Sequence, residues 1–298
     1  MKILIMGDIH SNYVAFKKCI EEEINNVDKI IMMGDYVSDC PYPQRTMEQV
    51  LYLKKYFQTW LIKGNREDYQ IMHSKGKLDF WTQNSSTGSL LYTYQNLSKE
   101  DIKLFEKLND SEIIDLGDGK QIFVCHGTPE SNRIGVFPDM SDIKSYISNC
   151  CTQIMICAHT HQQFVYSHKD KVLINPGSIG LPLGSNGKLQ YAILEWTKDG
   201  MNIQMKNKAY DVQKIICDFE SSGLYKIAQI YSKTIKDELV SGYPYMPCTL
   251  EKAKELMKQH EHKGEAQNIP ERYWEEAYDI IVEEYCRGNN NQFNGEKI

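Results

Sequence analysis

An α/β fold with two packed mixed β-sheets flanked by helices, followed by a helical C-terminal extension, is predicted by three features of the chain. From Lys2 to Ile62, short apolar runs alternate with helix-spaced segments, the order that gives parallel strands joined by helical crossovers. A second series of strand-like runs, ending in a hairpin pattern, lies between Ile113 and Met205, and beyond about Cys217 the texture is helical. The expected division is a core over 1–217, with a helical insert at about 76–109, and an extension over 218–298.

The first run, Met1 to Met6, reads as a strand and stops at Gly7-Asp8-Ile9-His10. Residues two apart in an extended segment share a face, so Asp8 and His10 reach one cation if the strand keeps its regularity to its tip. Ala15, Phe16, Cys19, Ile20 and Ile24 then recur at helical spacing after a cap at Ser11 or Asn12. Lys29 to Met33 is a buried strand ending at Gly34-Asp35, Gln44 to Tyr56 a helix, and Thr59 to Ile62 a strand ending at Gly64-Asn65-Arg66-Glu67. In sheets of this kind, sites form beyond the carboxyl ends of the strands.

The insert has helical turns around Trp81 and from Leu90 to Leu97, and a Ser98-to-Asp101 cap before Ile102 and Phe105. Its Ser85-Ser-Thr-Gly88 stretch reads as a connecting loop, with substrate contact as the alternative. The sheet pattern resumes at Ile113-Ile114 and Gln121 to Cys125, the latter ending at His126-Gly127. A helix over about Asp142 to Cys150 precedes the strand Gln153 to Cys157, which ends at Ala158-His159-Thr160-His161. Strands at Gln163 to Ser167 and Val172 to Ile174, a type II turn at Asn175-Pro-Gly-Ser178 and a hairpin around Asp199-Gly200 complete the core. In the extension, Leu224, Ile227, Ala228, Tyr231 and Ile235 form one helical stripe. Glu251 to His262 form a charged helix, Tyr273 to Tyr285 a second stripe, and Arg287 to Ile298 a polar, frayed tail.

Composition narrows the function. A net charge of −6 gives no global electrostatic case for gripping a nucleic-acid polymer. No run approaches the ~20 apolar residues of a membrane helix, and the N-terminal run lacks the basic flank and small-residue exit of a secretion signal. A cytoplasmic protein is expected, with a small phosphorylated substrate as its partner. Nine cysteines, without a Cys-x-x-Cys pair, read as reduced thiols rather than disulfides or a thiolate zinc site.

The strand ends supply Asp8, His10, Asp35, Asn65, His126, His159 and His161. Alone, Asp8-x-His10 is a weak signal; the set is not, because its members sit at successive strand ends and none lies in a helical stripe. His73, His168 and His260 stand alone and read as surface or hydrogen-bonded residues. Carboxylate, amide and imidazole without thiolate suit borderline divalent metals such as Mn, Fe, Zn or Ni. Seven donors exceed the need of one ion, and with one carboxylate bridging they suit two ions about 3.5–4 Å apart.

Asp8-Ile-His10, Gly34-Asp35, Gly64-Asn65, His126-Gly127 and His159-Thr-His161 resemble, in order and spacing, the calcineurin-like metallophosphoesterase superfamily over roughly residues 1 to 212. Asn175-Pro-Gly-Ser178 and the short chain resemble its small bacterial phosphodiesterase branch, which includes diadenosine polyphosphate hydrolases. The resemblance implies one metal on Asp8, His10, Asp35 and His161, and another on Asp35, Asn65, His126 and His159. Asp35 would bridge them, and a metal-held hydroxide would attack a small phosphodiester or nucleotide-like phosphoanhydride. The alternatives are a phosphomonoesterase, a protein phosphatase, or a protein-binding scaffold of the same fold.

Three positions depart from that family's pattern. Arg66 stands where many relatives have His; it can clamp phosphate but cannot act as an ordinary general acid, and its other reading is a salt bridge to Glu67 or Asp68. Ser38-Asp39 replaces the Asp-Arg of the protein phosphatases, with Asp39 a candidate for supporting a ligand from behind. Ala158 replaces a Gly. Arg66 and Asn12 are the candidate substrate-binding residues.

Overall fold

The computed structural model describes residues 1–198, 200–261 and 269–294. The chain runs β1 (Lys2–Met6), α1 (Tyr13–Glu23), β2 (Lys29–Met32), α2 (Pro43–Tyr56), β3 (Thr59–Leu61), α3 (Asn65–Ser74), α4 (Gly88–Gln95), α5 (Lys99–Phe105), β4 (Ser111–Asp115) and β5 (Gln121–Cys125). It continues α6 (Ile143–Asn149), β6 (Ile154–Ile156), β7 (Gln163–His168), β8 (Lys171–Pro176), β9 (Leu189–Thr197) and β10 (Gly200–Lys208). The last elements are α7 (Val212–Ser221), α8 (Leu224–Ile227), α9 (Gln229–Ser241), α10 (Tyr245–Glu261) and α11 (Glu271–Asn294).

Two five-stranded mixed sheets result, in the orders β10-β9-β1-β2-β3 and β4-β5-β6-β8-β7. Strands β1, β2 and β3 are parallel, as are β5, β6 and β8, while β9, β10, β4 and β7 join antiparallel. Alternation divides each strand between two cores. Ile3, Ile5 and Ile31 meet Ile122, Val124, Ile156 and Ile174 between the sheets. Leu4, Met6 and Ile30 pack outward on Phe16, Cys19, Met47 and Val50 of the flanking helices. Both faces are covered, which is why these strands read as continuous apolar runs. The parallel strands of both sheets bring their carboxyl ends to the same edge of the sandwich, where the ligand loops meet.

Several sequence expectations change. The helix α3 was not expected after Gly64: its inward residues are Asn65, Glu67, Gln70 and Ile71, so hydrophobic periodicity is silent there. Around Trp81 the chain is turns, and helix begins only at Gly88. The helical layer starts at Val212, and the stripe from Leu224 to Ile235 is broken at Ala228 (φ −142°) into α8 and α9. The expected frayed tail is helical as far as Asn294; residues 295–298, the turn residue Asp199 and His262 lie outside the described residues. All nine cysteines are free, and among the described residues no helix is long and apolar enough to cross a membrane.

The helical layer is not a separate lobe. Ile235, Leu239, Leu256, Trp274 and Ala277 share one apolar cluster with Tyr92 of α4 and with Cys40 and Leu181 of the strand-end loops. Ser85 of the expected connecting loop donates to Glu271 of α11 and accepts from the N–H groups of Ile230 and Tyr231 at 3.1 and 3.3 Å. That loop therefore fastens the extension to the insert.

Candidate metal centre

Strand alternation does not bring Asp8 and His10 together. β1 ends at Met6, and both residues adopt left-handed backbone, with φ of 52° and 47°. Asp35, His159 and His161 do the same, at 51°, 70° and 57°. Asp and His tolerate this region better than most L residues, and such strain persists only where the surroundings over-determine it. Here Asp8 N–H donates to Gly34 O at 3.1 Å, His10 N–H to Asp35 O at 2.9 Å, and His159 N–H to Asp8 Oδ2 at 3.0 Å. Two glycines permit this approach. A Cβ on Gly64 would lie 2.1 Å from Asp35 Oδ1, and one on Gly34, at φ 89°, 2.5 Å from Gly64 N.

All seven ligand candidates fall into one cluster, nearly all of them buried. His10 Nε2 lies 2.9 Å from His161 Nε2 and 4.0 Å from Asp8 Oδ1. At the other end, His126 Nε2 lies 3.2 Å from both Asn65 Oδ1 and His159 Nδ1. Asp35 Oδ2 stands between, 3.7 Å from His10 Nε2 and 3.4 Å from His126 Nε2. Asp8 Oδ1 is also central, 3.9 Å from His161 and 4.0 Å from His126. Metal–nitrogen bonds of about 2.0–2.1 Å place neighbouring donors roughly 3.0–3.4 Å apart. The short separations at each end match that spacing.

Ring orientation sets which nitrogen is offered. Nδ1 of His126 faces Met33 O at 2.7 Å, Nδ1 of His161 faces Leu181 O at 2.8 Å, and Nδ1 of His10 lies 2.5 Å from Asp39 Oδ2. The two carbonyls hold a proton on Nδ1 of His126 and His161 and turn each Nε2 lone pair into the cluster, and the Asp39 carboxylate, in close charge contact with His10 Nδ1, favours the proton on that nitrogen. His10 and His161 thus present two lone pairs to each other at 2.9 Å, an arrangement stable only with a positive species between them. At the other end the Nε2 lone pair of His126 faces His159 Nδ1 at 3.2 Å. Asp8 Oδ1 is buried without a hydrogen-bond partner, and burial raises the pKa of its carboxyl to about 6. For His126, burial acts downward, but Asp35 prevails and pushes the imidazole up to about 10. Burial, then the neighbouring His126, lowers His159 to about 4. Each end attracts one positive charge, and the donor set fits a pair of divalent cations.

Arg66 lines the cavity beside the cluster. Its backbone N–H donates to Asp35 Oδ1 at 2.8 Å and its guanidinium pairs with Asp39 at 3.2 Å, not with Glu67 or Asp68. Its Nε is buried without a partner. Asp39 also accepts from the phenol of Tyr231; burial opposes its ionisation, but Arg66 and His10 hold its carboxyl below the usual carboxylate range. Asn12 does not reach the cavity. It is fully buried, its Oδ1 accepts from Ala15 N–H at 3.1 Å, and its Nδ2 donates to Gly180 O and Tyr210 Oη, both at 3.0 Å. Its carboxamide is consumed as a helix cap, which corrects the substrate-binding expectation. Ala158 is fully buried, and its methyl leaves both histidines of its loop in the cluster.

Three participants escape a sequence reading. Glu67, fully buried, accepts from the N–H groups of Asp35, Tyr36 and Gly64, each at 2.9 Å, and locks two ligand loops together. Its position three residues after Gly64, as in a capping box, was the available signal. Tyr231 and Arg133 carried none: the first sits in an apolar stripe, the second in a loop.

A family model describing the calcineurin-like phosphoesterase superfamily domain matches residues 1–199. The chain belongs to that superfamily. It is a metal-binding phosphoesterase, and the donor chemistry of the cluster agrees with that. An uncharacterised protein of Methanocaldococcus jannaschii is 28% identical over 232 residues, covering 71% of this chain and 89% of the relative. A metallophosphoesterase from Sphaerobacter thermophilus shares the fold at a TM-score of 0.64 and 22% identity, over 81% of this chain and all of that one. A hypothetical protein from Pyrococcus horikoshii does so at a TM-score of 0.66 and 19% identity, over 81% and 98% of the two chains.

Proposed function

We propose that this phosphoesterase hydrolyses a small phosphodiester or nucleotide-like phosphoanhydride at a pair of divalent cations. The observation that carries the dinuclear reading is the two facing pairs of imidazole nitrogens, 2.9 and 3.2 Å apart, with Asp35 Oδ2 between them. Bound there, two cations supply an acidified water and neutralise phosphoryl oxygens. His10 and His161 hold one ion with Asp8, and His126, His159 and Asn65 hold the other. Asp35 is the one group both ends need.

The cavity supports a small substrate. Its volume is about 740 Å³, within the range of small-molecule sites. Arg66 and Arg133 are in its lining, as are the apolar side chains of Phe137 and Met140. A hollow of about 350 Å³, with Tyr69 and Phe80 in its lining, shares Arg66, Arg133, Tyr231 and Met246 with the cavity. Phosphate beside the arginines leaves room for an apolar or planar group beyond them. Arg66 stays charged at any working pH: burial acts to lower its pKa, yet Asp39 beside it prevails and raises it. It binds phosphate and does not protonate a leaving group, which favours activated esters and anhydrides.

The test is metal analysis of the purified protein, followed by turnover of bis(p-nitrophenyl) phosphate and of the monoester with Mn, Ni, Fe or Zn. Two metal equivalents and preferential turnover of the diester are expected. A single equivalent removes the dinuclear reading, and preference for the monoester makes the protein a phosphomonoesterase.

A further inference from the structure

The histidine at one end of the cluster is braced from outside the family domain. Behind His10 lies Asp39, 99% buried, with Oδ2 2.5 Å from His10 Nδ1 and 3.2 Å from Arg66 Nη2. Its other oxygen, Oδ1, accepts from Ser38 Oγ at 3.2 Å and from the phenol of Tyr231. Tyr231 belongs to α9, beyond the residues 1–199 that the family model matches.

Tyr231 is itself held in place. Its N–H and that of Ile230 donate to Ser85 Oγ, which donates to Glu271 at the start of α11. The Ser85 N–H donates to the same carboxylate at 3.0 Å, and the Tyr231 ring meets Trp274 edge-on at a centroid distance of 6.4 Å. A polar path therefore runs from α11 through the insert and α9 to Asp39, and from Asp39 to His10. Among the described residues no corresponding path reaches His126, whose Nδ1 rests on the backbone carbonyl of Met33.

We propose that Tyr231 is a positioning residue for the cation at the His10 end, through which the C-terminal helical layer sets the affinity of one metal site. A carboxylate behind a metal-bound imidazole fixes its tautomer and orientation, and the loss of such a partner weakens metal binding about 10- to 100-fold. Asp39 does this for His10 only while Oδ2 faces the ring. The phenol, by taking Oδ1, keeps it there. Burial, and next the Asp39 charge, raise the phenol's pKa well above its ordinary value, so it remains a donor.

The proposal rests on the dinuclear reading, and calorimetric titration of full-length protein with Mn(II) measures both without turnover. Wild-type chain, Tyr231→Phe, Asp39→Asn and the double variant are compared. In Tyr231→Phe one of two Mn(II) ions is expected to bind at least tenfold more weakly and the other within twofold of wild type. The double variant should be no weaker than Asp39→Asn alone, because the phenol acts through that carboxylate. Equal weakening of both ions would mark a general loosening and overturn the proposal, as would wild-type affinities in Tyr231→Phe or additive losses in the double variant. A wild-type chain that binds fewer than two ions overturns the dinuclear reading beneath it; two ions unaffected by Tyr231→Phe overturn only the role of Tyr231.

Discussion

The two ends of the ligand cluster are braced by different materials. Behind His126 the support is main chain, the carbonyl oxygen of Met33, and nearby the Glu67 carboxylate gathers the N–H groups of Asp35, Tyr36 and Gly64. Those main-chain groups follow β2 and β3, neighbouring strands of one sheet. At the other end His161 also rests on a carbonyl, that of Leu181, but behind His10 the support is side chains from three separate elements, Asp39 in a loop, Arg66 on α3 and Tyr231 on α9. A backbone carbonyl cannot be replaced by a point substitution, whereas a carboxylate, a guanidinium and a phenol each can. The His126 ring is therefore held by the fold itself, and the His10 ring is open to adjustment by side chains that are not ligands.

Asp35 is where the contrast disappears. Its Oδ2 lies 3.7 Å from His10 Nε2 and 3.4 Å from His126 Nε2, so Asp35→Asn removes a charge from both ends at once. Turnover of bis(p-nitrophenyl) phosphate should fall at least ~1000-fold, roughly 4 kcal/mol of transition-state stabilisation. Bound metal should fall below two equivalents while the circular dichroism spectrum is retained. An Asp35→Asn protein with full metal content and more than a tenth of wild-type turnover would show that the two ends share no carboxylate.

Arg66→Ala separates the ends more gently. It removes from the cavity the guanidinium proposed to bind phosphate, and with it one of the cationic partners of Asp39. KM is expected to rise about tenfold, near 1.4 kcal/mol, with kcat changed less. Arg66→Lys should restore only part of it, since an ammonium lacks the planar fork. A collapse of kcat at unchanged KM would place Arg66 in the chemical step instead of in binding.

Legibility in the sequence follows the same division. Asp8, His10, Asp35, Asn65, His126, His159 and His161 stand out because each follows an apolar run, and the parallel topology carries those strand ends to one edge. The reason for the Asp8-x-His10 spacing was misjudged: left-handed backbone, not strand alternation, brings the pair together, and φ leaves no mark on residue type beyond a tolerance for Asp and His. Side-chain bracing is harder to see. Tyr231 occupies a place in an apolar helical stripe, where a hydroxyl that reaches a carboxylate looks the same as one that reaches water. Glu67 and the helix it begins were hidden because that helix buries polar groups. Asn12 shows the converse: capping and ligand binding demand the same carboxamide, and only its buried partners distinguish them.

The smallest effect is expected at Arg133, which belongs to neither end. Its guanidinium lies 5.0 Å from the Tyr69 ring centroid and forms no ion pair with a carboxylate among the described residues. It lines both the cavity and the adjoining hollow. An exposed cation of this kind interacts with a substrate anion through solvent-screened charge, and screening grows with salt. Arg133→Ala should raise KM only about two- to fivefold, and the difference from wild type should shrink between 50 and 500 mM NaCl. Mn(II) affinity at both sites should stay within twofold, because among the described residues the hydrogen bonds of Arg133 go to Ser131 and Met72 and not to a ligand or to Asp39. If either ion binds more weakly, bracing extends into the Arg133 loop, and the division between a main-chain end and a side-chain end has to be redrawn to include it.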